Sequence, residues 1–292
     1  MRSQSAHGMK PEKPALRSFF LLAFGLTWVL LGPWFYLFNV VNQGEMSVWL
    51  WAMAPLAFIG GWGPSLAAVI VTAHQGDRSA VRRLLVSLAD WRVHFRWYLL
   101  VFLLPPLATA LSILIADRGI TTIRHFDLIA ALAGAPLTYA IALPFGPLGE
   151  ELGWRGFALP NLLARFGPWR ATLILGTLWT LWHLPMMLWM PGASVPSFMG
   201  LSVRSVLIYL IHVMAVTAIM TLLFLRTNGS ILLAVLAHLA FNTAESVVSA
   251  GLPEMPVEQL RIVYVVTVCV LAVLGLVCIF WSSRRSPTSF AT

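Results

Sequence analysis

The chain has 292 residues, of which 59% are hydrophobic and only 10% are charged. Soluble domains average about 25% charged residues, so this composition argues against a water-soluble fold and belongs to the membrane class. The net charge of +8 does not mark a nucleic-acid partner, because the basic residues form no patch interleaved with aromatics; they suit the cytoplasmic loops of a membrane protein.

Residues 1–17 form a polar, basic arm carrying Arg2, Lys10, Lys13 and Arg17. The apolar stretch that follows is too long for a signal-peptide core and has no small-residue cleavage pattern, so it reads as a retained helix. At about 20 residues per span, membrane helices are predicted at 18–40, 47–73, 97–116, 127–148, 169–190, 203–225, 230–250 and 259–281. Gly60, Gly61 and Pro64 predict a kink in the second. The fourth runs into "PFGPLGEELGWRGFALP", whose prolines and glycines predict a break or a second short helix.

Lysine and arginine in the connections set the orientation. One side collects the N-terminal arm, Arg78, Arg82, Arg83, Arg92, Arg96, Arg155, Arg165, Arg170, Arg226, Arg284 and Arg285. Arg118, Arg124, Arg204 and Arg261, four of the 19, fall on the other. The expected architecture is therefore an all-α, polytopic integral membrane helix bundle with about eight transmembrane helices. It forms a single membrane domain over 18–281, between the arm at 1–17 and a tail at 282–292, with both termini cytoplasmic. If the chain is prokaryotic, the membrane is the plasma membrane. Cys269 and Cys278, nine residues apart on the last helix, point to roughly opposite faces and cannot bridge each other.

Ionisable groups inside spans cost about 2.5–3.5 kcal/mol each on insertion scales and need a reason. In "GEELGWRG", Glu151 and Arg155 stand at i and i+4 with the acid first, the favourable order for a helical ion pair. Glu150, rotated by about 100°, is left available as a general base. The competing reading is a solvated helix end with an ordinary salt bridge. His183 precedes Pro185, which opens the helix beside it; a catalytic group and a hydrogen-bonded bend both fit. His238, Asn242 and Glu245 share one face of the seventh span, either as site residues or as polar glue. His212 has no polar partner at helical spacing within its span's core and reads as structural. A carboxylate, two histidines and an amide on three helices supply a base for water and donors for an oxyanion, the needs of amide hydrolysis.

Glu-Glu-x-x-x-Arg (Glu150, Glu151, Arg155), an aromatic-x-x-x-His (Trp179, His183) and His-x-x-x-Asn (His238, Asn242) together resemble the CAAX protease and bacteriocin-processing enzyme family. Its members are intramembrane endopeptidases that include the Ras-converting CAAX prenyl endopeptidase and lysostaphin resistance protein A-like proteins. The resemblance implies that Glu150 and His183 activate water, that His238 and Asn242 stabilise the oxyanion, and that Glu151 and Arg155 hold the site in shape. Glu245 lies outside the motifs and receives no catalytic role. Trp179 stands where phenylalanine is common, a change expected to alter pocket shape more than chemistry.

Two mechanisms are compatible with these groups. Glu150, His183 and His238 would make a ligand set for Zn²⁺, but the chain has no H-E-x-x-H helix, and a glutamate-dependent, metal-free mechanism is preferred. The expected activity is hydrolysis of a peptide bond in a peptide or membrane-associated protein, either CAAX-type processing of a lipid-modified tail or leader-peptide/bacteriocin-type processing, at a site opening toward the cytoplasm. The rival reading is a transporter, scaffold or immunity protein that uses the same buried groups for binding.

Overall fold

A computed structural model describes residues 13–76, 78–116, 126–189, 196–252 and 255–283. Arg2, Lys10, Arg118, Arg124, Arg284 and Arg285, with most of the N-terminal arm and tail, lie outside the described residues. Among the described residues every regular element is helical.

Helix starts follow local chemistry. Ser47 accepts from the Leu50 amide at the start of α3 (Val48–Gly61), and Asp127 accepts from the Ile129 and Ala130 amides at the start of α7 (Leu128–Ala142). Ser202 and Ser205 form a reciprocal cap on α11 (Val203–Arg226), and Ser230 caps α12 (Ile231–Ala250). Each side-chain oxygen satisfies an amide that the helix itself cannot.

Among the described residues, six helical stretches are long and apolar enough to cross a bilayer. They are Ala15–Val41, containing α1 (Lys13–Leu30) and α2 (Gly32–Tyr36), then α6 (Phe95–Ala116), the broken run Pro147–Trp189, α11, α12 and α13 (Val257–Ser283). The pair α3 and α4 (Gly63–Gln75), bent by 58° at the predicted kink, makes a seventh if counted as one span. About eight were expected. The difference falls at the fourth, where α7 has only 15 residues before the chain turns at 143–146. Pro147 then opens a new helix, α8 (Pro147–Gly153).

Beyond α8 the chain winds through a π-helical turn at Trp154–Ala158 and continues as α9 (Leu159–Trp182). Within α9 it turns sharply at Gly167, whose φ of 71° is open to glycine, and Pro168 starts the returning segment. α10 (Leu184–Trp189) follows the histidine of the second motif. The principal core draws on α1, α4, α9, α11 and α12, with Phe19, Trp154, Leu159, Leu175, Met220 and Leu233 fully buried. Exposed apolar side chains such as Trp49, Ile129, Leu137, Val203 and Val273 cover the outside, as lipid contact requires.

The two ends of the bundle are distinguishable. At one end the amphipathic α5 (Arg78–Val86) and the loop around Asp90 lie beside the start of α12, where the Ser230 hydroxyl donates to the Asp90 carbonyl at 3.4 Å. At the other end Asp127 donates its amide to Gly251 at 2.7 Å, and Arg261 Nε donates to the Phe198 carbonyl at 2.6 Å.

Candidate active site

Glycines put the acidic motif where it is. Gly149 and Gly153 share a face of α8 at i and i+4 and lie against the start of α4. A Cβ on Gly149 would come within 2.9 Å of the Trp62 ring, and one on Gly153 would collide with the Pro64 backbone. α8 therefore rests backbone-to-backbone on the α3–α4 bend. Trp62 fixes the preceding turn as its indole donates to the Pro144 carbonyl at 3.0 Å.

This contact buries both glutamates. Glu151 and Arg155 are 0% exposed, and Arg155 Nη1 donates to Glu151 Oε1 at 2.7 Å. The predicted ion pair is thus present and sits in the interior. Arg155, grouped by sequence with the loop arginines, is a site residue and not a loop charge. His238 places Nδ1 2.8 Å from the same Glu151 oxygen. One carboxylate oxygen thereby joins the first motif to the third, across a sequence separation of 87.

Glu150 is held separately. Its Oε2 accepts from the Trp179 indole at 2.7 Å and from the Trp154 indole at 3.1 Å. Its Oε1 faces the turn: a Cβ built on Gly146 would stand 3.4 Å from Oε1 and 3.7 Å from Asn242 Nδ2. One oxygen is anchored, and Glu150 lines a cavity together with Asn242 of the third motif. Trp179 also carries the Arg155 guanidinium 4.3 Å above its ring and packs edge-on against His238, with centroids 5.1 Å apart. The expectation that tryptophan here alters shape more than chemistry needs correcting. Its N–H is a donor that phenylalanine lacks.

His183 is half-buried, and its Nδ1 lies 2.8 Å from the Trp179 carbonyl. A carbonyl can only accept, so Nδ1 carries the proton and Nε2 of the neutral ring is an acceptor. The break before Pro185 reads correctly as an opening, for His183 lines two cavities. One, of about 370 Å³, is mainly apolar, bounded by Trp34, Phe58, Phe145 and Met186, and reaches Glu150. The other, of about 420 Å³, is more polar and contains His212, Glu245, Ser246 and Tyr264 together with His238. His183 and Asn242 line both. Asn242 is exposed at this junction, unlike its buried neighbour Thr243. His212 stacks between Tyr209 and Tyr264, which agrees with a packing role, while Glu245 lines the polar cavity that Trp179 also lines.

The two tryptophan donors and the two cavities had no signal in the motif spacing. Trp154 at i+4 from Glu150 could have been read from the helix repeat. Trp179 could not, because its contact depends on how α9 packs. The zinc alternative was judged by the donor atoms. Among the described residues no three His, Cys, Asp or Glu side chains converge as metal ligands. Glu150 Oε2 and the Nδ1 atoms of His183 and His238 are already engaged.

Residues 130–244 match the family described as type II CAAX prenyl endopeptidase Rce1-like, a segment that contains all three motifs. Over 230 residues the chain is 25% identical to CAAX prenyl protease 2 of Methanococcus maripaludis, which covers 77% of this chain and 81% of that protein. Motifs, segment and relative agree in what the chain is similar to: the Rce1-like CAAX prenyl endopeptidases, a family of membrane proteases.

Proposed function

We propose that the protein is a glutamate-dependent intramembrane endopeptidase whose nucleophile is water. The carrying observation is the environment of Glu150, with Oε2 fixed by two indoles in a residue that lines the same cavity as His183 and Asn242. A carboxylate held at one oxygen and open at the other is oriented to take a proton from water without reorganising. His183, with its Nε2 lone pair free in the neutral tautomer, shares that proton and passes it to the leaving amine. Asn242 donates its amide N–H to the oxyanion as the carbonyl becomes tetrahedral, and His238, whose Nδ1–H is held by Glu151, donates there from Nε2 as the imidazolium. Glu151 acts through others, orienting His238 and neutralising Arg155.

The substrate is a peptide or a membrane-associated protein tail. The apolar cavity on one side of the His183–Asn242 junction fits an apolar or lipid-modified residue, and the polar cavity fits the rest of the peptide. The relative named CAAX prenyl protease 2 supports a lipidated substrate in the same way.

The test is cleavage of a peptide library, including prenylated members, by the purified protein. Glu150→Gln and His183→Ala should each lower the rate by about 10²–10⁴-fold, and a chelator should leave the wild-type rate unchanged. Full activity in both variants refutes the mechanism. Chelator inhibition reversed by zinc would replace it with a metal-dependent one.

A further inference from the structure

One carboxylate in the polar cavity has no part in the proposed mechanism. Glu245 stands at i+3 from Asn242 and i+7 from His238 on α12, so it extends the stripe of site residues by about 4.5 Å along the helix. It lines the cavity of about 420 Å³ together with His183, His238 and Asn242. It also lines a smaller pocket of about 50 Å³ between α6, α11, α12 and α13. His212, Phe241, Glu245 and Tyr264 belong to both, so the small pocket adjoins the large one.

The small pocket offers acceptors. Thr109 Oγ1 donates its proton to the Pro105 carbonyl at 3.2 Å, and Thr267 Oγ1 donates to the Val263 carbonyl at 2.9 Å. Each hydroxyl keeps lone pairs to offer and has no proton to spare. His212 Nδ1 is buried without a hydrogen-bond partner among the described residues, and its ring stacks on Tyr264 with centroids 5.9 Å apart. In the neutral ring this nitrogen can serve as a further acceptor. No lysine or arginine among the described residues lines either cavity, and none forms an ion pair with Glu245. A carboxylate inside a span without a counter-charge is costly, and a bound cation offsets that cost.

We infer that Glu245 and the pocket beside it take the side-chain ammonium of a substrate lysine lying one or two residues from the scissile bond. This rests on the endopeptidase reading and adds a sequence preference to it. An extended peptide advances about 3.3 Å per residue, so the step from Asn242 to Glu245 corresponds to one or two positions. The pocket suits an ammonium group, which is about the size of a water molecule. Its three N–H donors meet a carboxylate and two hydroxyl acceptors. A guanidinium is planar and wider, with five donors in a fixed fork, and matches so small a pocket poorly.

Matched peptides test the preference on the wild-type protein. A cleaved peptide is remade with lysine, acetyl-lysine or norleucine at each of the two positions on either side of the bond. The readout is the ratio of kcat/KM for the lysine peptide to that for the norleucine peptide. The expected ratio is about 10–100 at one position, with acetyl-lysine close to norleucine. Glu245→Gln should bring the ratio near 1, and Glu245→Lys should make a glutamate peptide better than the lysine one. Each ratio compares two peptides on one protein, so a partial loss of folded protein cancels. A ratio near 1 at every position on the wild type overturns the inference and leaves the endopeptidase reading standing. A high ratio that survives Glu245→Gln overturns the assignment to this pocket. No cleavage of any peptide by the wild type refutes the endopeptidase reading, and the inference with it.

Discussion

Trp179 takes part in three contacts of the site at once: its N–H holds Glu150, its face carries Arg155, and its edge meets His238. Hydrogen bonds to charged groups contribute about 1.5–3 kcal/mol, so Trp179→Phe should lower kcat roughly 10–100-fold. KM and thermal stability should change little, because the aromatic packing remains. A matched loss of stability would instead make the residue structural. Arg155→Met is expected to behave differently. It leaves Glu151 buried beside His238 without its full counter-charge, and breaking a buried pair costs about 3–5 kcal/mol. The check is the unfolding temperature in detergent, which should fall together with activity. The Glu151–Arg155 pair was legible in the sequence because i and i+4 spacing is local. The His238 contact to the same oxygen was not, since it joins residues 87 apart.

At the scale of elements, the acidic motif works because its helix has no side chains where it meets α4. Gly153→Ala would drive a Cβ into the Pro64 backbone, which cannot yield as a flexible side chain does. Overpacking of this kind costs about 1–3 kcal/mol, and the displacement would carry Glu150 off its indole anchors. Gly156→Ala is the matched control. Its Cβ meets the tip of Leu84 at 3.2 Å, a contact that a rotamer change relieves. Thermal stability and peptidase rate should therefore fall for Gly153→Ala and stay near wild type for Gly156→Ala. Hydropathy located the Ala15–Val41 stretch, α6, α11, α12 and α13 to within a few residues, because long apolar runs have a period and a length that lipid dictates. The glycine contacts were not legible, since a glycine facing a backbone and one facing open space read alike in sequence.

For the whole molecule, six or seven stretches among the described residues are long and apolar enough to cross a bilayer, with Leu128–Ala142 a shorter apolar helix beside them, which leaves the expected eight unconfirmed. Around the 143–146 turn the chain stays apolar while the helix breaks, and the prediction joined the short α7 to the turn after it. The order of motifs holds, since His183, His238 and the glutamates each sit on the element expected. The short α7 has a physical effect of its own. Its 15 residues span about 22 Å, against about 30 Å of hydrocarbon in a typical bilayer. Such hydrophobic mismatch is relieved by local thinning of the lipid. That thinning would fall next to the turn leading into Glu150. A hydrolase consumes one water per bond cut, in a medium that holds almost none, so a dimple beside α7 would act as the supply line for its second substrate. Reconstitution in lipids of increasing acyl length should then slow turnover as the bilayer thickens, with peptide KM little changed.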